Sequence, residues 1–179
     1  MFRKLMIVGS VGVAAVAAFA ATSYAIRPNT QPKLRSSLAV ANRPAVSLGN
    51  GTAIAFNDTI GADNLSRFGI TADSYDQARV VARTTVGVAY LIPGSRGACL
   101  VFAQMSSCGN PGTPGGSMLA LATVRSGKLV GAGITTDSKH EVTVSSPRGL
   151  VAKAAVSGGA FSVTGTAPVR PTGLKFAAR

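Results

Sequence analysis

From Val80 onward, short apolar runs are broken by turn-forming residues about every eight to twelve positions, a rhythm that excludes long helices and points to an antiparallel β fold. Val86 to Ile92 alternates, with Val86, Val88, Tyr90 and Ile92 on one face and Gly87, Ala89 and Leu91 on the other. Pro93 to Gly97 then turns the chain. Ala98 to Ala103 is continuously apolar, as a central strand covered on both faces must be. A Gly/Pro loop over Ser106 to Ser117 separates it from Met118 to Arg125, and Ser126 and Gly127 form a two-residue hairpin connection into Lys128 to Ile134. Strands follow at Glu141 to Ser145, Leu150 to Val156 and Ala160 to Thr164. The pattern predicts an all-β antiparallel sandwich or open barrel of about seven short strands.

Upstream of this domain the pattern differs. Thr71 caps an expected short helix from Ala72 to about Ala78, with Asp73 and Asp76 in its first turns, where the helix dipole favours anions. Residues 26–62 carry Pro28, Pro32 and Pro44 among many small polar residues and read as a flexible spacer. Residues 1–25 read as an export signal: Arg3 and Lys4 precede an uncharged run from Leu5 to Ala21, and Ser23 and Ala25 present small residues to a signal peptidase. Cleavage is expected between Ala25 and Ile26. The alternative is an uncleaved membrane anchor displaying the domain. Ala and Gly make up much of the run and contribute little to membrane insertion, which favours cleavage. The expected organisation is therefore signal 1–25, spacer 26–62 and β domain 63–179, secreted or held in the cell envelope.

Export gives the two cysteines a role. Cys99 and Cys108 would pair as a disulfide closing a small ring, pinning the loop after the central strand back to the sheet. A redox pair normally has the C-x-x-C spacing, and a metal site needs about four ligands where the chain has two cysteines and one histidine. No metal or cofactor is expected. The staple matters because the core is thin: there is no Trp, and the large anchors of the strand region are Tyr90, Phe102, Phe161 and Phe176.

Charge supplies the functional expectation. The chain carries a formal net charge of +12, and from Arg79 to Arg179 eleven cations face only Asp137 and Glu141. A field of that sign favours anionic partners, here a cell-envelope polymer or lipid headgroups; no specific nucleic-acid motif is present. The competing expectation is a hydrolase built on His140, the single imidazole, within Thr135-Thr136-Asp137-Ser138-Lys139-His140-Glu141. Triad members normally converge from distant segments, and no serine lies in a G-x-S-x-G elbow, so no catalytic residue is assigned. Ser126-Gly127-Lys128-Leu129 lacks the upstream glycine and following hydroxyl of a phosphate loop, and Gly131-Ala132-Gly133 reads as sheet packing. Arg170-Pro171-Thr172-Gly173 lacks the Leu-Pro of a wall-sorting signal. Glycosylation sequons begin at Asn50, Asn57 and Asn64.

Between Asp76 and Phe176, several motifs together resemble a group of small secreted actinobacterial proteins: Ala78-Arg79-Val80, Tyr90-Leu91-Ile92-Pro93-Gly94, Gly97-Ala98-Cys99-Leu100, a second cysteine before a Gly-rich loop, Gly131-Ala132-Gly133-Ile134 and Glu141-Val142-Thr143-Val144. That group's turn before the Val-x-Val strand is Pro-Asp-Gly-like, where this chain has Thr136-Asp137-Ser138-Lys139. The resemblance implies export and a β fold, and carries over no catalytic residue.

Overall fold

A computed structural model describes residues 38–111, 118–136, 138–167 and 173–179. The expected signal, its cleavage site at Ala25 and Ile26, and the start of the spacer lie outside these residues. The all-β antiparallel expectation holds, in three sheets rather than a simple pair. Strands β1 (Ala45–Val46), β2 (Ala78–Thr84), β3 (Gly87–Gly94), β4 (Gly97–Phe102) and β5 (Met105–Gly109) lie in that order in the first sheet. Strands β6 (Leu119–Arg125), β7 (Lys128–Ile134) and β10 (Ala160–Thr166) form the second, with β7 central. Strands β8 (Glu141–Ser146), β9 (Gly149–Ala155) and β11 (Lys175–Ala178) form the third, with β8 central.

The continuous apolar run from Ala98 is β4, buried along its whole length as expected. Period-two alternation sends Ala98, Leu100 and Phe102 into a core shared with Leu119, Val130, Ala132 and Ile134 of the second sheet. Cys99 and Val101 point the other way, into a core roofed by helices α1 (Asn50–Ile60), α2 (Ala62–Phe68) and α3 (Ala72–Tyr75) through Ile60, Phe68 and Tyr75. A third core, built on Leu129, Val144, Ala152 and Val163, joins the second sheet to the third. Burying a Leu, Ile, Val or Phe side chain contributes about 1.5–3 kcal/mol, so β4 adds to the cohesion of both neighbouring layers.

Gly131-Ala132-Gly133 does the packing work expected of it. A Cβ on Gly133 would stand 2.3 Å from Cζ of Phe161, and one on Gly131 would stand 2.9 Å from Cγ1 of Val163. The absent side chains let two residues of β10 lie over the central strand, which is how a core without Trp closes.

The expected spacer is corrected from Leu38 onward. Leu38 and Val40, which flank the start of a 3-10 turn (Ala39–Asn42), are fully buried in the principal core, and α1 occupies much of the remainder. Two arginines tie this segment down. The Arg43 guanidinium donates to the carbonyls of Val80 and Val81 at 3.0 and 2.7 Å, and buried Arg79 donates to that of Ala41 at 3.3 Å. Composition concealed this because small polar residues surround the few apolar anchors. Among the described residues, 38–62 therefore pack with the β domain, where the sequence suggested a flexible spacer.

Thr71 starts a helix as expected, its N–H donating to Ser74 Oγ at 3.1 Å, but α3 stops at Tyr75. Ala78, expected to end that helix, opens β2 and pairs with Val46. The expected loop over Ser106 to Ser117 begins as β5, whose residues pair with β4 from Phe102↔Met105 to Ala98↔Gly109. Its connection is Ala103-Gln104, with φ of 49° and 61°. Both are left-handed, a conformation that favours Gly, Asn or Asp, so nothing in the residue types announces a hairpin there. The described residues hold eleven strands against about seven expected, the additions being β1, β2, β5 and β11.

Cys99 and Cys108 face each other directly across β4 and β5, at S–S 2.07 Å and Cα–Cα 4.1 Å. The staple thus closes the hairpin whose turn carries the backbone strain. Replacing both cysteines by Ala should lower unfolding free energy by roughly 2.5–3 kcal/mol in urea titration, the chain-entropy value for so small a ring. Gln104→Gly should return about 0.5–1 kcal/mol of it by relieving the left-handed position. If the glycine variant is no more stable, the turn is not strained.

Tyr75 anchors the helical layer: its hydroxyl donates to Asn57 Oδ1, and burial pushes its pKa above the ordinary value of 10.0. The folded state thus favours the neutral phenol. Its contribution is full below pH 10.0 and is lost as pH rises from there through the folded pKa. In urea midpoints measured across pH 8 to 11, Tyr75→Phe should remove this alkaline fall while costing about 1 kcal/mol at neutral pH for the lost hydrogen bond.

Candidate anion-binding surface

The described acids are segregated by layer. Asp58 lies in α1, Asp63 in α2, Asp73 in α3 and Asp76 at its C-terminal cap, all on the helical side of the first sheet. Glu141 is the one acid the described part of the second and third sheets carries. Several cations are spent structurally. Arg43 and Arg79 serve backbone carbonyls as above, Arg67 lies 5.6 Å from the centre of the Phe68 ring, and Arg96 donates to the Ser66 carbonyl. The exposed remainder among the described residues is Arg83 on β2 of the first sheet, together with Arg125, Lys128, Arg148, Lys153, Lys175 and Arg179 on the second and third sheets or their ends.

The third sheet concentrates this charge on one face. Along β11 exposure alternates strictly: Phe176 turns inward against Phe161, with ring centres 6.3 Å apart, while Lys175, Ala177 and Arg179 turn outward. Register then fixes three outward rows. Lys175 lies beside Ser145, itself opposite Leu150, and Ala177 lies beside Thr143, itself opposite Lys153. In the third row Arg179 exchanges backbone bonds with Glu141, which stands opposite Ala155. At about 3.3 Å per residue and 4.8 Å between strands, Lys153, Lys175 and Arg179 mark a triangle with edges of about 12–13 Å. Glu141 pairs with Lys153 at 3.3 Å, an exposed bridge that solvent and salt weaken. The face also offers the hydroxyls of Thr143 and Ser145, the former weakly engaged with the Ala177 carbonyl at 3.4 Å.

His140 stands at the margin of this sheet, exposed. Its N–H donates to the Arg179 carbonyl at 2.7 Å, and its own carbonyl accepts from Val156 at 2.9 Å. Nearby, the hydroxyls of Thr136 and Ser138 lie 3.2 Å apart, and Asp137 lies outside the described residues. Among the described residues no cluster of three or more His, Cys, Asp or Glu side chains could hold a metal ion. Two sequon asparagines have structural partners: Asn57 accepts from Tyr75, and Asn64 Nδ2 donates to the Ile60 carbonyl at 3.0 Å. No described helix is long and apolar enough to cross a membrane, and the run considered as an anchor lies outside the described residues.

Lys175 and Arg179 are the functional candidates that the strand pattern passed over. The signal was present: Lys175-Phe176-Ala177-Ala178-Arg179 puts both charges on one face and Phe176 on the other. It is short and follows a Pro-containing stretch, which hides it. No protein-family model, curated protein or solved structure matches this chain.

Proposed function

We propose that this chain is an exported, non-catalytic domain that binds an anionic cell-envelope polymer through the outward face of its third sheet. The observation that carries the reading is the separation of charge: exposed Lys153, Lys175 and Arg179 share one face with a single carboxylate, while the four described aspartates sit on the far, helical side. Such an arrangement orients the molecule toward an anionic partner before contact. The disulfide-distance cysteine pair is compatible with an extracytoplasmic setting. A polymer is favoured over a lipid surface because, among the described residues, Leu150 is the sole large apolar side chain exposed on this face, too little to insert among acyl chains.

The exported protein should be retained on an immobilised poly(glycerol phosphate) matrix and elute with rising sodium chloride. In the triple variant Lys153→Gln, Lys175→Gln, Arg179→Gln, the slope of log affinity against log salt should fall by about two, as expected for three lost cations on a flexible polyanion. An unchanged slope, or tighter binding to phosphatidylglycerol vesicles at matched phosphate, would overturn the polymer reading.

A further inference from the structure

The turn between β6 and β7 holds a second concentration of charge, pointing away from the third sheet. Arg125 and Lys128 are direct cross-strand partners flanking the two-residue connection Ser126-Gly127. Period two places them on the same face of the second sheet as Leu119, Val130 and Ala132, continued beyond the principal core, and on that face Lys128 is also paired with Thr166 of β10. Arg125, Ser126, Lys128 and Thr166 are all exposed.

Two features oppose stability here. Like charges directly opposed across an antiparallel pair repel, and neither cation has a carboxylate within ion-pairing reach among the described residues. Ser126 also sits at φ 51°, where Asn, Asp or Gly is the easier occupant. The connection is otherwise held firmly, the Gly127 carbonyl accepting from the Ala167 N–H at 3.1 Å. A rigid tip that keeps two unneutralised cations side by side, with hydroxyls adjacent, has the makings of an oxyanion site.

We infer that Arg125 and Lys128, with the Ser126 and Thr166 hydroxyls, form a binding site for a phosphate group. The site lies on a different face from the one proposed for the polymer, as a second contact that recognises phosphate, and rests on the polymer reading only for the source of that phosphate. Arg125 supplies a planar two-donor fork and Lys128 a point charge, and a tetrahedral dianion bridging them turns their repulsion into a shared attraction.

The test uses the exported protein with sodium pyrophosphate as free-phosphate probe and poly(glycerol phosphate) as polymer probe, each against sodium chloride at equal ionic strength. Pyrophosphate should raise Tm above the chloride control, and Arg125→Gln with Lys128→Gln should weaken its affinity by roughly ten-fold or more. Without added anion, Arg125→Gln should unfold at an equal or higher urea concentration than wild type, because repulsion is relieved. A pyrophosphate response no greater than chloride, an affinity unchanged in the double variant, or a less stable Arg125→Gln chain would each overturn the site. Polymer affinity falling in the same double variant supports it, and unchanged polymer affinity restricts the site to free phosphate, overturning its role in polymer recognition. The third-sheet triple variant should bind pyrophosphate as wild type does, so failure of the polymer reading and failure of this site are read on different variants.

Discussion

The fold depends on one strand being buried on both faces. Because β4 has no solvent side, it needs a layer above and a layer below, and the two layers come from opposite ends of the described chain: the helices precede it and the second sheet follows it. Leu100 and Phe102 hold the sheet-on-sheet core, while Cys99 and Val101 hold the helical roof. The disulfide lies within this arrangement rather than beside it, joining the buried strand to β5 at the edge of its sheet. A small domain without Trp keeps a large surface relative to its core, so a covalent tie at the strand common to two cores has unusual leverage.

Layering also accounts for the charge separation. Helices α1 to α3 present their outer side to solvent, and the described aspartates collect there. The third sheet packs one face on the second through Val144, Ala152 and Phe176, leaving the other to carry Lys153, Lys175 and Arg179. The proposed binding face and the acid-bearing helices are therefore separated by the sheets between them. A polyanion approaching the basic face meets the acids only across that thickness, where screening is strong.

Sequence reasoning succeeded where local chemistry and tertiary role agree. Ala98 to Ala103 read as a doubly covered strand and is one as far as Phe102, Ser126-Gly127 read as a tight turn, and Gly131-Ala132-Gly133 read as sheet packing. It failed where the two conflict. Ala103-Gln104 turns without a turn residue, so β5 was hidden, and Leu38 and Val40 anchor a core from within a stretch whose composition looks like a linker. Of the candidate surface, the excess of cations was legible, but their convergence was not. Lys153 and Lys175 come onto one face only through β8, which lies between their strands and pairs with both.

The central claim is that the outward face of the third sheet receives the anionic polymer. Amide-resolved NMR of the protein titrated with poly(glycerol phosphate) tests it directly. The account predicts that the largest shift changes on that sheet fall at Thr143, Ser145, Lys153, Lys175 and Arg179, with the α1 to α3 layer unmoved. Changes centred on the helical layer, or none on the third sheet at saturating polymer, would contradict it.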